Sequence, residues 1–232
     1  MTLTYKKSIP KKSMPAKIMK HSFVDEAMVD LSEYFMGRIL IEPIYYNNGL
    51  KGAIEKCCVR ESVAKKLERA IELLPDEYML KVFDAWRPLT LQQELYEKHF
   101  NSIQAKHPDW SKAQTEQETT KFVSLPNCDI ETPAAHSTGG AIDLTIAFKD
   151  SGKELDMGTS FDDFTCLSHT NAFECRGDKY IKHNRRLLYW IMINSGFTNL
   201  PSEWWHYDYG DSFWGYYKNM PAIYCGILDK IC

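Results

Sequence analysis

The chain has 232 residues, 44% of them hydrophobic and 25% charged, the balance of a soluble globular protein. That length suits one large domain, and the composition excludes a disordered tail, a collagen-like repeat and a membrane bundle. With 28 Lys and Arg against 31 Asp and Glu the formal net charge is −3, so there is no basic excess of the kind that accompanies phosphate binding, and no nucleic-acid partner is expected.

Residues 1–22 hold six lysines, interrupted by Pro10 and Pro15. The segment has no apolar stretch of signal-peptide or membrane-span length and no apolar helical face, so it reads as a basic arm lying on the domain rather than a membrane anchor. No linker, repeat or low-complexity run divides the rest. Residues 23–232 are therefore expected to form one domain, located in the cytoplasm. The seven cysteines are Cys57, Cys58, Cys128, Cys166, Cys175, Cys225 and Cys232. Their odd number and the absence of a CxxC pair lead us to expect buried thiols in a reducing compartment.

Arg60–Leu74 spaces Val63, Leu67, Ala70, Ile71 and Leu74 along one face of a helix, with charges on the other. Pro75 ends it. Tyr78–Ala85 then reads as a buried strand, and Pro88 stands in the first turn of a helix carrying Leu91 and Leu95 on one face. Ser102–Lys121 is polar with little apolar period, a surface helix or a long excursion. After Gly139 and Gly140 the segment AIDLTIAF alternates, Ile142, Leu144 and Ile146 to one side, Ala141, Asp143 and Thr145 to the other. His183–Phe197 reads as a helix stopped at Gly196, and Ser202–Tyr209 as a short strand-like stretch. Helices come early and strands cluster irregularly, which favours α+β over a doubly wound parallel sheet.

Three patches concentrate chemistry: FDAWRP (83–88), HSTGGAID (136–143) and EWWH (203–206). His136, Asp143 and His206 make a two-histidine, one-carboxylate set, which leaves a tetrahedral position open on zinc. Glu203, three residues before His206, is placed to act as a base toward water at such a site. The spacing poses a geometric problem. His136 lies an odd number of residues before Asp143, so one flat strand would point the two apart; a bend at Gly139-Gly140 would re-aim the chain. Glu203 and His206 would diverge in a flat strand for the same reason, so EWWH must be distorted. On residue types alone two readings stay open, a metal site or ordinary core or surface histidines. His21, His99, His107, His169 and His183 take ordinary surface or core roles.

HSTGGAID matches the H-x-x-G-x-A-x-D core of the zinc D-Ala-D-Ala metallopeptidases, and EWWH matches their second motif. FDAWRP resembles the arginine-bearing segment of the dipeptidase branch, and MGTSFDDF (157–164) another dipeptidase segment. The chain thus resembles the D-alanyl-D-alanine dipeptidases of the VanX type, with four motifs in order over most of residues 80–210. The resemblance implies an α+β single domain of the hedgehog/D,D-peptidase kind, with a small central antiparallel sheet and flanking helices. It implies one zinc per chain on His136, Asp143 and His206, with Glu203 as general base and Arg87 stabilising the oxyanion. Asp162 would pair with the amino group of a small free dipeptide, although neighbouring Asp163 could take that part; Asp84 is a candidate ion-pair partner for Arg87. The expected reaction is hydrolysis of D-Ala-D-Ala to two D-alanines, and no membrane partner is implied. A D,D-carboxypeptidase acting on peptidoglycan stems and a non-catalytic zinc module are the alternatives. Two departures stand out: Ala134 replaces the serine usual two residues before the first ligand histidine, and DLSEYFMG (30–37) follows the family only loosely.

Overall fold

The computed structural model describes residues 7–16, 21–175 and 177–228. β1 (Met28–Asp30) runs straight into α1 (Leu31–Phe35), whose N-terminus the Asp30 carboxylate caps by accepting from the Ser32 N–H. β2 (Leu40–Ile41) and α2 (Ile44–Asn47) follow, and β3 (Cys58–Arg60) pairs antiparallel with β1. α3 (Glu61–Leu73) buries Val63, Leu67 and Ala70 as their spacing predicts, and Ala64 beside them, while Ile71 is half-buried; it stops ahead of Pro75. β4 (Tyr78–Asp84) is buried along nearly its whole length. Pro88 caps α4 (Leu89–Lys106), where its missing N–H costs nothing.

The polar stretch 102–121 is two things rather than one. Its start is the end of α4, and its remainder is α5 (Lys112–Thr119), begun by a capping box between Ser111 and Gln114. β5 (Ala141–Phe148) coincides with the alternating segment. α6 (Lys179–Asn194) starts four residues earlier than its apolar periodicity indicated, because Asp178 caps it by accepting from the Tyr180 N–H. β6 (Thr198–Asn199), β7 (His206–Asp208) and α7 (Ser212–Lys218) complete the chain. Of the strand-like stretch 202–209 only β7 is strand; the residues before it form a turn, with the Glu203 N–H donating to the Leu200 carbonyl.

The main sheet has the order β2-β4-β5-β7-β6. Four of its strands are antiparallel, as expected; β2 adds a parallel edge against β4. On one face Leu80, Val82, Ile142, Leu144 and Ile146 meet the apolar sides of α3 and α6, including Leu187, Leu188, Ile191 and Met192. All of these are nearly or fully inaccessible to water, and their burial is the main stabilising term. Helices on one face and a site on the other is an α+β arrangement.

The described part of the arm lies along α6 and α7. Ile9 is buried, its N–H donates to Glu174, the Trp190 indole donates to the Lys7 carbonyl, and the Tyr217 hydroxyl to that of Ser13. The cysteines depart from expectation: Cys57 is a buried thiol, but Cys128, Cys166 and Cys175 are exposed and Cys225 is half-buried. Cys128, Cys175 and Cys225 lie in connecting segments, and Cys166 opens a 3₁₀ turn, Cys166–Ser168. Cys58 is disulfide-bonded, and Cys232 lies outside the described residues. Among the described residues no helix is long and apolar enough to cross a membrane.

Candidate active site

Strand register assembles the site on the polar face of the sheet. Asp143 on β5 stands opposite His206 on β7, so the two side chains point the same way by simple cross-strand pairing. Asp208, two residues along β7, shares that face. A register shift between Val82 and Asp84 puts Asp84 opposite Asp143. Without this bulge Asp84 would share the core face of Leu80 and Val82; the extra residue turns it toward the site.

His136 reaches the same spot from a 3₁₀ turn, Ala135–Thr138, rather than from the strand. The turn ends at Gly139, whose φ of +72° is the left-handed region that glycine adopts without strain. Gly140 is needed for a different reason: a Cβ there would lie 2.4 Å from the Tyr209 carbonyl oxygen, so only glycine lets β5 and β7 approach. The expected bend at Gly139-Gly140 is therefore present, and it solves the parity problem. The turn ahead of β7 does the same for Glu203.

His136, Asp143 and His206 offer ligand atoms that all lie within 4.8 Å of one another. His136 Nδ1 lies 2.7 Å from the Ala85 carbonyl oxygen, which makes it the protonated nitrogen and leaves Nε2 facing Asp143 Oδ2 at 3.3 Å. His206 is the mirror case: Nε2 lies 2.7 Å from Asp208 Oδ1, and Nδ1 faces Asp143 Oδ1 at 3.0 Å. Each imidazole thus has one nitrogen anchored behind and the other turned inward, the arrangement that orients metal-binding histidines. His136 and His206 hold the Asp143 carboxyl well below the usual carboxylate range despite burial. Burial opposes a charge on His206, but Asp208 and Asp143 outweigh it and raise its pKa well above the ordinary value. Two nitrogens and a carboxylate at this spacing fit a tetrahedral divalent ion such as zinc.

Around this trio a cavity of about 290 Å³ opens, lined among others by Arg87, Asp162, Glu203 and Ala134. Glu203 Oε2 lies 3.9 Å from His206 Nδ1. Burial pushes its carboxyl up to about 8, with Asp143 and Asp162 adding to the shift and His206 and Arg87 opposing it. Asp162 sits at φ +57°, a strained backbone for a non-glycine residue, and burial raises its carboxyl to about 7. Asp163 is not among the residues lining the cavity. Arg87 is buried; Asp84 and Asp143 raise its pKa above the ordinary value against the cost of burial. The ion pair between Arg87 and Asp84 is present, at 2.7 Å. Ala134 presents a methyl to the cavity where a hydroxyl would otherwise stand.

Besides Asp208 behind His206, the cavity holds a residue that no sequence motif marks. Tyr45, on α2, donates its hydroxyl to Asp162 Oδ2 at 2.7 Å and lies under the Arg87 guanidinium at 5.2 Å. No local motif marks it, because its partners lie 42 and 117 residues away.

Residues 46–223 match the family Peptidase_M15, described as D-ala-D-ala dipeptidase. The chain belongs to this D-Ala-D-Ala dipeptidase family. The match spans all the residues just placed in the cavity except Tyr45, which stands one position before it. A curated D-alanyl-D-alanine dipeptidase of Synechocystis sp. is 32% identical over 70% of this chain and 73% of its own length. Those of Enterococcus faecium and Escherichia coli K12 are 34% and 29% identical, over 62% and 66% of this chain and 69% and 67% of theirs. As a member of this metallopeptidase family the protein is an enzyme.

Proposed function

We propose that the protein hydrolyses free D-Ala-D-Ala to two D-alanines with one zinc ion per chain, held by His136, Asp143 and His206. Bound there, zinc supplies Lewis acidity, acidifying water and polarising a peptide carbonyl. The observation that carries this reading is the convergence of an N,N,O donor set and a buried carboxyl, Glu203, in one cavity.

Glu203 takes the proton from the attacking water and returns it to the leaving amine. Burial raises this carboxyl in the metal-free fold, and a divalent cation beside it would favour the ionised form, the two opposing influences that let one group both take and return a proton near neutral pH. Arg87 is a fixed donor for the negative charge that develops on the carbonyl oxygen, already oriented before the substrate arrives. Asp162, supported by the Tyr45 hydroxyl, receives the free ammonium of the dipeptide; an unpaired charge in a closed pocket would be costly. A carboxypeptidase acting on longer stems has no use for a carboxylate at that end, and a non-catalytic zinc module has none for Glu203 or Arg87. Residues 23–232 do the catalytic work, and the basic arm takes no part in it.

Glu203→Gln tests the assignment. The amide keeps size and hydrogen bonding but cannot take the proton, so kcat should fall about 10²–10⁴-fold while metal analysis still finds zinc on the chain. Near-normal kcat would show that another group activates the water.

A further inference from the structure

Arg87 is attached to Asp84 at a single point. Its Nε and NH2 both reach Asp84 Oδ2, at 2.8 and 2.7 Å, instead of spanning the two carboxylate oxygens in a fork. A guanidinium held by one oxygen can swing about it. The second anchor is Gln92, whose Oε1 accepts from Arg87 NH1 at 3.0 Å. Gln92 is 1% exposed and stands in the first turn of α4, where its N–H donates to the Pro88 carbonyl. The far end of the same amide donates from Nε2 to the Ser124 carbonyl at 2.6 Å. Arginine can only donate and a carbonyl can only accept, so the two partners fix the amide's orientation between them.

We propose that Gln92 is a positioning residue for Arg87, fixing the plane of the guanidinium and tying it to the Phe122–Ser124 wall of the cavity. The inference rests on the reading of Arg87 as the oxyanion donor. A neutral amide suits the place. Glutamate there would set a third carboxylate beside Arg87, after Asp84 and Asp143, and would point an anion at the Ser124 carbonyl. Both changes would weaken the donor that the reaction uses. Oxyanion donors act through exact placement, and a misplacement of about 1 Å can cost about 10²-fold in rate.

A double-mutant cycle on the zinc-loaded enzyme with D-Ala-D-Ala tests this. Gln92→Met keeps the length of the side chain and removes both hydrogen bonds. Arg87→Ala should lower kcat about 10²–10³-fold, and Gln92→Met about tenfold or more, with KM within about threefold of wild type. The double variant should fall within about threefold of Arg87→Ala alone, because Gln92 acts only through the arginine. A merely structural role would give additive losses, and that result would overturn the proposal, as would a Gln92→Met enzyme with wild-type kcat. Should Gln92→Met not fold, Gln92→Asn replaces it; its amide is one methylene too short to span both partners, and the same non-additivity is expected. Full kcat in Arg87→Ala would remove the Arg87 reading itself and the positioning role with it. A loss in Arg87→Ala combined with additivity would remove only the role of Gln92.

Discussion

Glu203 and Asp162 place two carboxyls in one cavity, and the protein's stability carries the cost. Their ordinary values are 4.5 and 3.8; burial raises them to about 8 and about 7 in the fold. A carboxyl whose folded pKa lies above its unfolded one favours folding fully below about pH 4 and loses that contribution as pH rises through its folded value. The metal-free protein should therefore lose melting temperature between pH 5 and pH 8. Glu203→Gln and Asp162→Asn should each raise Tm at pH 8 by more than at pH 5, measured by thermal unfolding in chelator. Equal shifts at the two pH values would contradict the assigned burial cost. At this scale the sequence was legible where chemistry repeats in a motif: His136, Asp143, Glu203, His206, Arg87 and Asp162 all reach the cavity. Tyr45, Gln92 and Asp208 were not legible. Their importance lies in what they touch, and the fold alone supplies those contacts.

At the scale of elements, α3, β4 and β5 were readable because each is long enough for its apolar period to show, and α6 was readable except for its start. β1, β2, β3 and β6 have two or three residues each, too few for any period, and only pairing defines them; β7, equally short, was readable as strand but not in its bounds. The bulge that turns Asp84 toward the site is likewise a property of the β4–β5 pair and of neither strand alone. The segment 157–169, which carries Asp162, has little regular structure of its own and is held from α6. Arg185 is buried and donates to three carbonyls in that segment, from Nε to Met157 at 2.6 Å and from NH1 and NH2 to His169 and Leu167 at 3.0 Å each. The rings of Phe173 and Trp204 each lie 5.2 Å from its guanidinium. Burial lowers its pKa to about 9, which shows how far the charge has been removed from water. Arg185→Lys keeps the charge but replaces a planar fork with a point donor. Each charge-assisted hydrogen bond lost should cost about 1.5–3 kcal/mol. We expect a lower Tm and a several-fold higher KM for the dipeptide with a smaller change in kcat, read by thermal unfolding and steady-state kinetics. An unchanged KM would show that the loop holds Asp162 without Arg185.

Across the whole molecule the central sheet divides two tasks. One face, packed on α3 and α6, is apolar and stabilises the fold; the other gathers Asp84, Asp143, Asp162 and Glu203 around one arginine and two histidines. That excess of carboxyls suits the two cationic occupants proposed for the pocket, a divalent metal and a substrate ammonium. The α+β class was readable from the order of helices and strands, whereas the parallel edge β2 was not, since two residues carry no directional signal. The most direct test is release of D-alanine from D-Ala-D-Ala by the metal-free protein, before and after one equivalent of zinc, with an amino-blocked D-Ala-D-Ala in parallel. No release is expected without metal, rapid release with zinc and little cleavage of the blocked peptide. A zinc-loaded protein that leaves D-Ala-D-Ala intact, or cleaves the blocked peptide equally well, would contradict it.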